Sequence, residues 1–208
     1  ISRQDDWIQE LLEDKFLSGF TSPFEIMELH DKFKYLLTVS DGSVKFHNMS
    51  FGWVLATPDG DVLAEGAGPC SGRGNSLRSE GAGMLTVTVF ISLILEFTGQ
   101  GSAKLQCISD NQELIDRMTE HKKYEHPFPN ETTKSEFDIT EQIFLTARDA
   151  KINASYEWVK GHQDDNAPID ELPIKAQLNI LADTLAGDFQ HLHGRFRPLA
   201  PLLPSCPA

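Results

Sequence analysis

Apolar residues recur along this chain with two different periods, and the change between them locates its elements. Up to about residue 34 the period is helical, with Trp7, Ile8, Leu11, Leu12 and Phe16 on one face. A second helix is predicted from Ser22-Pro23, where Pro23 takes the first helical position and Glu25 completes a capping box with Ser22. Residues 1–34 therefore read as a helical N-terminal extension packed on the next domain or on an upstream one. From Tyr35 the pattern turns to strands. Tyr35 to Val39 is apolar and rich in strand formers, and Asp41 stands at its end, where Gly42 and Ser43 are expected to turn the backbone. Phe51 to Thr57 is a second strand, Pro58 to Asp61 a hairpin turn and Val62 to Ala67 a third strand. Gly66, Gly68, Pro69, Gly72 and Gly74 then predict a loop.

Leu77 to Phe97 returns to a helical pattern, with a β-branched middle and Gly99 and Gly101 to stop it. Leu105 to Ser109 is a fourth strand ending on Asp110, followed by a helix from about Asn111 to Glu120. A polar loop leads to another helix, opened by a capping box from Ser135 to Asp138. Tyr156 to Val159 is a fifth strand, and Ile174 to Ala186 a last helix. The order is β-β-β-α-β-α-α-β-α. Hairpins make the first three strands antiparallel, while a helical crossover sets the fourth parallel to the first. The expected fold is α/β: a mixed five-stranded sheet, three antiparallel strands and then parallel ones, flanked by helices. It occupies residues 35–190, and residues 191–208 form a Pro-rich tail expected to be disordered.

Composition narrows the classes. The 208 residues suit one domain with extensions. No apolar run is expected to reach the ~20 residues of a membrane span, since Met84 to Phe97 is short and carries Glu96. The chain opens on Ile1 without a signal-peptide pattern, as expected of a segment of a longer polypeptide. Cys70, Cys107 and Cys206 lie far apart, which disfavours a disulfide framework or a zinc site and fits an intracellular compartment, cytoplasmic or nuclear. A net charge of −13 argues against a protein that grips nucleic acid by itself, because phosphate binding depends on Lys and Arg displacing counterions.

Four acids stand where chemistry would be placed. Asp41 ends the first strand and Asp110 the fourth; if those strands are adjacent and parallel, both emerge at one sheet edge. Glu80 lies in the first turn of the helix after the meander, and Asp183 in the closing helix. Each has an ordinary reading alone: a turn residue, a dipole-favourable surface acid, a helix cap and a solvated helix position. Together, as oxygen ligands without cysteine or clustered histidine, they suit a hard cation, Mg²⁺ or Mn²⁺.

Ser40-Asp41-Gly42-Ser43, Arg78-Ser79-Glu80-Gly81-Ala82, Ser109-Asp110-Asn111, Val159-Lys160-Gly161-His162 and Asn179 to Ala186 resemble the ordered motifs of ribonuclease H type 1. The form is most similar to the ribonuclease H domains of retroelement reverse transcriptases. The resemblance covers about Tyr35 to Gly187, and its D, E, D, D order differs from the D, D, E expected of integrases and transposases. It implies a metal-dependent endonuclease that hydrolyses the RNA strand of an RNA–DNA hybrid with two Mg²⁺ ions, or Mn²⁺, held by Asp41, Glu80, Asp110 and Asp183. It implies His162 as a proton shuttle or aid to product release, and an upstream reverse transcriptase domain in the same polypeptide. Gly42, Ser43, Asn75, Ser79 and Asn111 are the expected substrate contacts. Two other classes stay open: a scaffold or interaction module that keeps the fold without catalysis, and a DNA-acting, integrase-like nuclease. The stretch between His162 and Asp183 is longer than the family's usual loop and carries Asp164, Asp165, Asp170 and Glu171.

Overall fold

Pairing, more than turn chemistry, decides where the strands end. The structure, a computed structural model, describes residues 5–12, 21–45, 48–123, 130–165, 167–193 and 203–206. Strand β1 runs from Leu36 to Lys45, past the expected turn, because Asp41, Gly42 and Ser43 pair in register with Gly52, Phe51 and Ser50 of β2 (Asn48–Ala56). A neighbouring strand that offers nine successive partners outweighs the turn preference of an Asp-Gly step. Asp41 is thus inside a strand rather than at its end. The same logic carries β3 from Val62 to Cys70, so Gly66, Gly68 and Pro69 lie in a strand and not in a loop. Proline is tolerated there because β3 is an edge strand.

The sheet has the order β3-β2-β1-β4-β5, with β4 (Ala103–Ser109) parallel to β1 and β5 (Ile152–Trp158) parallel to β4. This is the mixed α/β sheet that the element order predicts. Strand β4 pairs with β1 only over Leu36 to Val39. Beyond that point β1 continues with β2 alone, and the step between the two strand ends opens a cleft beside Asp41.

Alternation along β1 and β2 splits the core in two. Leu36, Phe51, Trp53 and Leu55 face one large cluster with α3 (Ser76–Thr98), α4 (Gln112–His121) and α5 (Phe137–Asp149). Leu37, Val39, Val54 and Ala56 face the other side, under α6 (Ile174–His193), with Leu178 and Ala182. By length and composition α3 could cross a membrane, contrary to the expectation that no stretch could. Its apolarity has another use, since 72% of its most apolar window is buried within the domain. Asn75 caps it by accepting from the Leu77 N–H at 2.9 Å, and Gly99 ends it at φ +71°.

At the N-terminal end, α1 (Asp6–Leu12) and α2 (Pro23–Phe33) pack on this cluster through Leu12, Ile26 and Met27. Ser22 accepts from the Glu25 N–H at 3.3 Å, as its sequence position predicts. Phe16 lies outside the described residues. The capping box expected from Ser135 to Asp138 does not form. Glu136 holds the cap position in a left-handed conformation without a side-chain cap bond, because its carboxylate and that of Asp138 are drawn to Arg78. Most of the tail expected to be disordered also lies outside the described residues, and residues 203–206 are described. Leu203 packs on the large core cluster, and the Ser205 hydroxyl donates to the Asp138 carbonyl at 2.5 Å.

Candidate metal centre

Three of the four predicted acids converge at the cleft. Asp41 arrives from β1, Glu80 from the second turn of α3 and Asp110 from the residue after β4, and each offers an oxygen within 4.8 Å of the others. Asp41 and Glu80 are buried and Asp110 is half-buried. A Mg²⁺ ion bound at ~2.1 Å separates opposite ligand oxygens by ~4.2 Å, a spacing similar to that of these carboxylates. The donor set fits a hard cation: it is all carboxylate, convergent and largely buried.

The neighbours of these acids aim them. Asp41 Oδ1 accepts the Gly42 N–H at 2.6 Å, and its Oδ2 accepts from Asn179 Nδ2 at 3.1 Å. Glu80 accepts from the Ser109 hydroxyl at 2.5 Å and from Asn111 Nδ2 at 3.2 Å. Asn111 also caps α4 by accepting the Leu114 N–H at 3.0 Å. Asp183 comes over Asp41 because α6 crosses β2 backbone to backbone at Gly52. A Cβ on Gly52 would stand 2.1 Å from the Ala182 carbonyl oxygen, and the Ser50 hydroxyl donates to the Ala186 carbonyl at 2.7 Å. Asp183 does not join the group of three, but its charge acts on both Asp41 and Asp110.

Crowding shows in the protonation of these groups. Burial, followed by the charges of Asp110, Glu80 and Asp183, pushes the Asp41 carboxyl up to about 9. Burial and the nearby Asp110 raise Glu80 to about 8, against the lowering effect of the Ser109 and Asn111 donors. Asp110 is raised too, by burial first, while the charge of His162 lowers it. His162 is exposed and takes φ +49° in the loop after β5, which brings it to the Asp110 side of the cleft.

The residues expected to meet substrate have internal partners. Gly42 lies in β1 and donates to Asp41. The Ser43 hydroxyl donates to Gln190 Oε1 at 2.8 Å, and the buried Ser79 hydroxyl to the Ser76 carbonyl at 3.0 Å. Asn75 caps α3 through one side-chain atom and donates to Glu136 Oε1 at 3.2 Å through the other, while Asn111 holds Glu80.

Ser109 and Asn179 are supports that the motifs alone do not single out. Both were accessible in principle. Asn179 stands four residues before Asp183, one turn away on the same helix face, and Ser109 immediately precedes Asp110 on the alternate face of β4.

No protein-family model matches the chain, and no curated protein matches it. Solved structures do. A ribonuclease H1 isolated from compost by a metagenomic approach superposes with a TM-score of 0.52 at 12% identity, over 74% of this chain and 94% of its own. The ribonuclease H domain of prototype foamy virus gives 0.51 at 19% identity, over 76% and 94%. The foamy viral protease-reverse transcriptase in complex with an RNA/DNA hybrid gives 0.53 at 15% identity, over 87% of this chain but 22% of that one. At these identities the likeness concerns architecture. The chain has the ribonuclease H-like fold, with its buried carboxylates at the step where β1 outruns β4.

Proposed function

We propose that this chain is a metal-dependent ribonuclease H that hydrolyses the RNA strand of RNA–DNA hybrids. The observation that carries the reading is the convergence of Asp41, Glu80 and Asp110 within 4.8 Å in a ribonuclease H-like fold. Burying like charges together is costly, and a scaffold gains nothing from it. Asp41, Glu80, Asp110 and Asp183 would hold Mg²⁺ or Mn²⁺. Two such ions, when bound, supply a nucleophilic water and charge stabilisation at the leaving oxygen.

The chain's own residues do the rest. Ser109 and Asn111 keep Glu80 turned into the cleft, and Asn179 does the same for Asp41. His162, exposed beside Asp110, moves a proton as product leaves. The turn from Gly72 to Asn75 before α3, together with Gly42, Ser43 and Asn111, faces the hybrid near the cut. The 2′-hydroxyl distinguishes the strand to be cleaved.

The excess of acids over bases is consistent with affinity supplied in part by an upstream reverse transcriptase domain of a retroelement polyprotein. The test is cleavage of a hybrid labelled on its RNA strand, with Mg²⁺, Mn²⁺ or chelator, beside RNA–RNA and DNA–DNA duplexes. Metal-dependent cutting confined to the hybrid RNA is the expected result. Cleavage of DNA duplex instead would favour the DNA-acting alternative, and inertness on all three substrates would favour the scaffold.

A further inference from the structure

Asp41 and Glu80 are held by donors from neighbouring side chains and main chain, whereas Asp110, whose side chain shares a hydrogen bond with Glu80, is also confined by shape. It comes directly after β4, and its main-chain carbonyl accepts from the Trp158 indole Nε1 at 2.8 Å. The chain then passes Val159, whose N–H donates to the Ser109 carbonyl at 3.1 Å, and turns back at Gly161 directly against the Asp110 side chain. A Cβ on Gly161 would lie 2.2 Å from Asp110 Oδ2, 3.1 Å from its Cγ and 3.4 Å from its Cβ. The first distance is far inside van der Waals contact.

Gly161 has no left-handed backbone; the positive φ in this loop belongs to its neighbour His162, at +49°. Glycine is therefore required here for proximity and not for conformational freedom. That distinction makes the position unusually clean to probe, since alanine fits the backbone and meets nothing nearer than the carboxylate it would displace.

We propose that Gly161 and Trp158 are positioning residues for Asp110, the loop after β5 acting as a wall that sets where this carboxylate can stand. Trp158 fixes the main chain and Gly161 limits the side chain, so Asp110 keeps an oxygen within 4.8 Å of Asp41 and Glu80. A Cβ at residue 161 pushes the carboxylate away from its place and opens the triad. The inference rests on the proposed metal site.

The experiment is a calorimetric Mn²⁺ titration of the full chain as wild type, Gly161→Ala, Trp158→Phe and Asp110→Asn, with the melting temperature of each metal-free protein and steady-state hybrid cleavage in parallel. Gly161→Ala is expected to weaken Mn²⁺ binding about tenfold or more and to lower kcat with little change in KM, at an unchanged metal-free melting temperature. Trp158→Phe, which removes the indole N–H but keeps an aromatic face, is expected to weaken binding in the same direction by a smaller factor. Should Gly161→Ala melt well below wild type, Trp158→Phe decides alone on the same readouts. Mn²⁺ affinity and kcat within about twofold of wild type in a folded variant would overturn the proposal while leaving the metal site standing. A wild type that binds no more Mn²⁺ than Asp110→Asn would overturn the metal-site reading itself, and this inference with it.

Discussion

Two charged clusters grow from positions two residues apart on α3 and solve opposite problems. Arg78 points to α5, where its guanidinium bonds Glu136 Oε2 at 2.6 Å and Asp138 at 2.9 and 3.0 Å. Asn75 Nδ2 donates to Glu136 Oε1, and the Ser71 carbonyl accepts from Arg78 Nε. Two residues on, Glu80 points into the cleft and meets Asp41 and Asp110. The first cluster is compensated within the fold: one guanidinium offers a fork of donors and two carboxylates accept them. The second gathers like charge and raises the proton affinity of its members. At residue 78 the acids are paired by a guanidinium, whereas at residue 80 they face one another.

The comparison breaks most sharply at Asp110. Asp110→Asn keeps the shape of the side chain but removes one of the converging charges. We expect hybrid cleavage to be abolished while metal-free stability, read by denaturant unfolding, stays level or rises. Undiminished cleavage would remove Asp110 from the catalytic assignment. His162 comes next, as the histidine whose charge acts on Asp110. If it moves a proton, His162→Ala should slow cleavage by ~10²–10⁴-fold with metal affinity kept. A large loss of metal binding would make it a ligand instead.

The compensated cluster should behave in the contrary sense. Arg78→Met leaves two mostly buried carboxylates without their donor, and breaking such a pair costs ~3 kcal/mol. The unfolding midpoint should drop accordingly, and an unchanged midpoint would mean that the network contributes only geometry.

The last and gentlest test is pH. Asp41 and Glu80 have folded-state values of about 9 and about 8, raised from 3.8 and 4.5 chiefly by burial. Between these limits the folded chain binds more protons than the unfolded one. Their contribution to metal-free stability is therefore whole below about pH 4, is lost as pH rises through the folded values, and levels off above about pH 9. Thermal unfolding across this range in chelator should trace that decline, and saturating Mg²⁺ should remove it above neutrality. A stability that rises with pH over the same range would contradict the crowding of these acids.

Much of this was legible in the chain. The periodicity marks the helices and strands and their order, and Asp41 and Asp110 are recognisable because each stands at a change of pattern. What escaped was set by contacts between distant segments. The Asp41-Gly42 step carries a turn signal, yet β2 pairs straight through it. Pro69 and four nearby glycines signal a loop, yet Gly66, Gly68 and Pro69 extend β3 at an edge where a missing donor costs nothing. The Ser135 to Asp138 box fails because Arg78, nearly sixty residues away, takes the carboxylates. Local propensities are worth tenths of a kcal/mol each, and a full set of cross-strand partners or a buried ion pair outweighs them.

The sequence by itself therefore determined which residues could do chemistry and in what order the chain meets them. Period and residue type are local properties, and they survive whatever the fold does. Only the tertiary structure decided that β4 stops short of Asp41, that α6 meets β2 at Gly52, and that Gly161 lies against Asp110. Those are matters of where separate segments end and how near their backbones come. Their physical basis is packing between surfaces far apart in the chain, which no local pattern encodes.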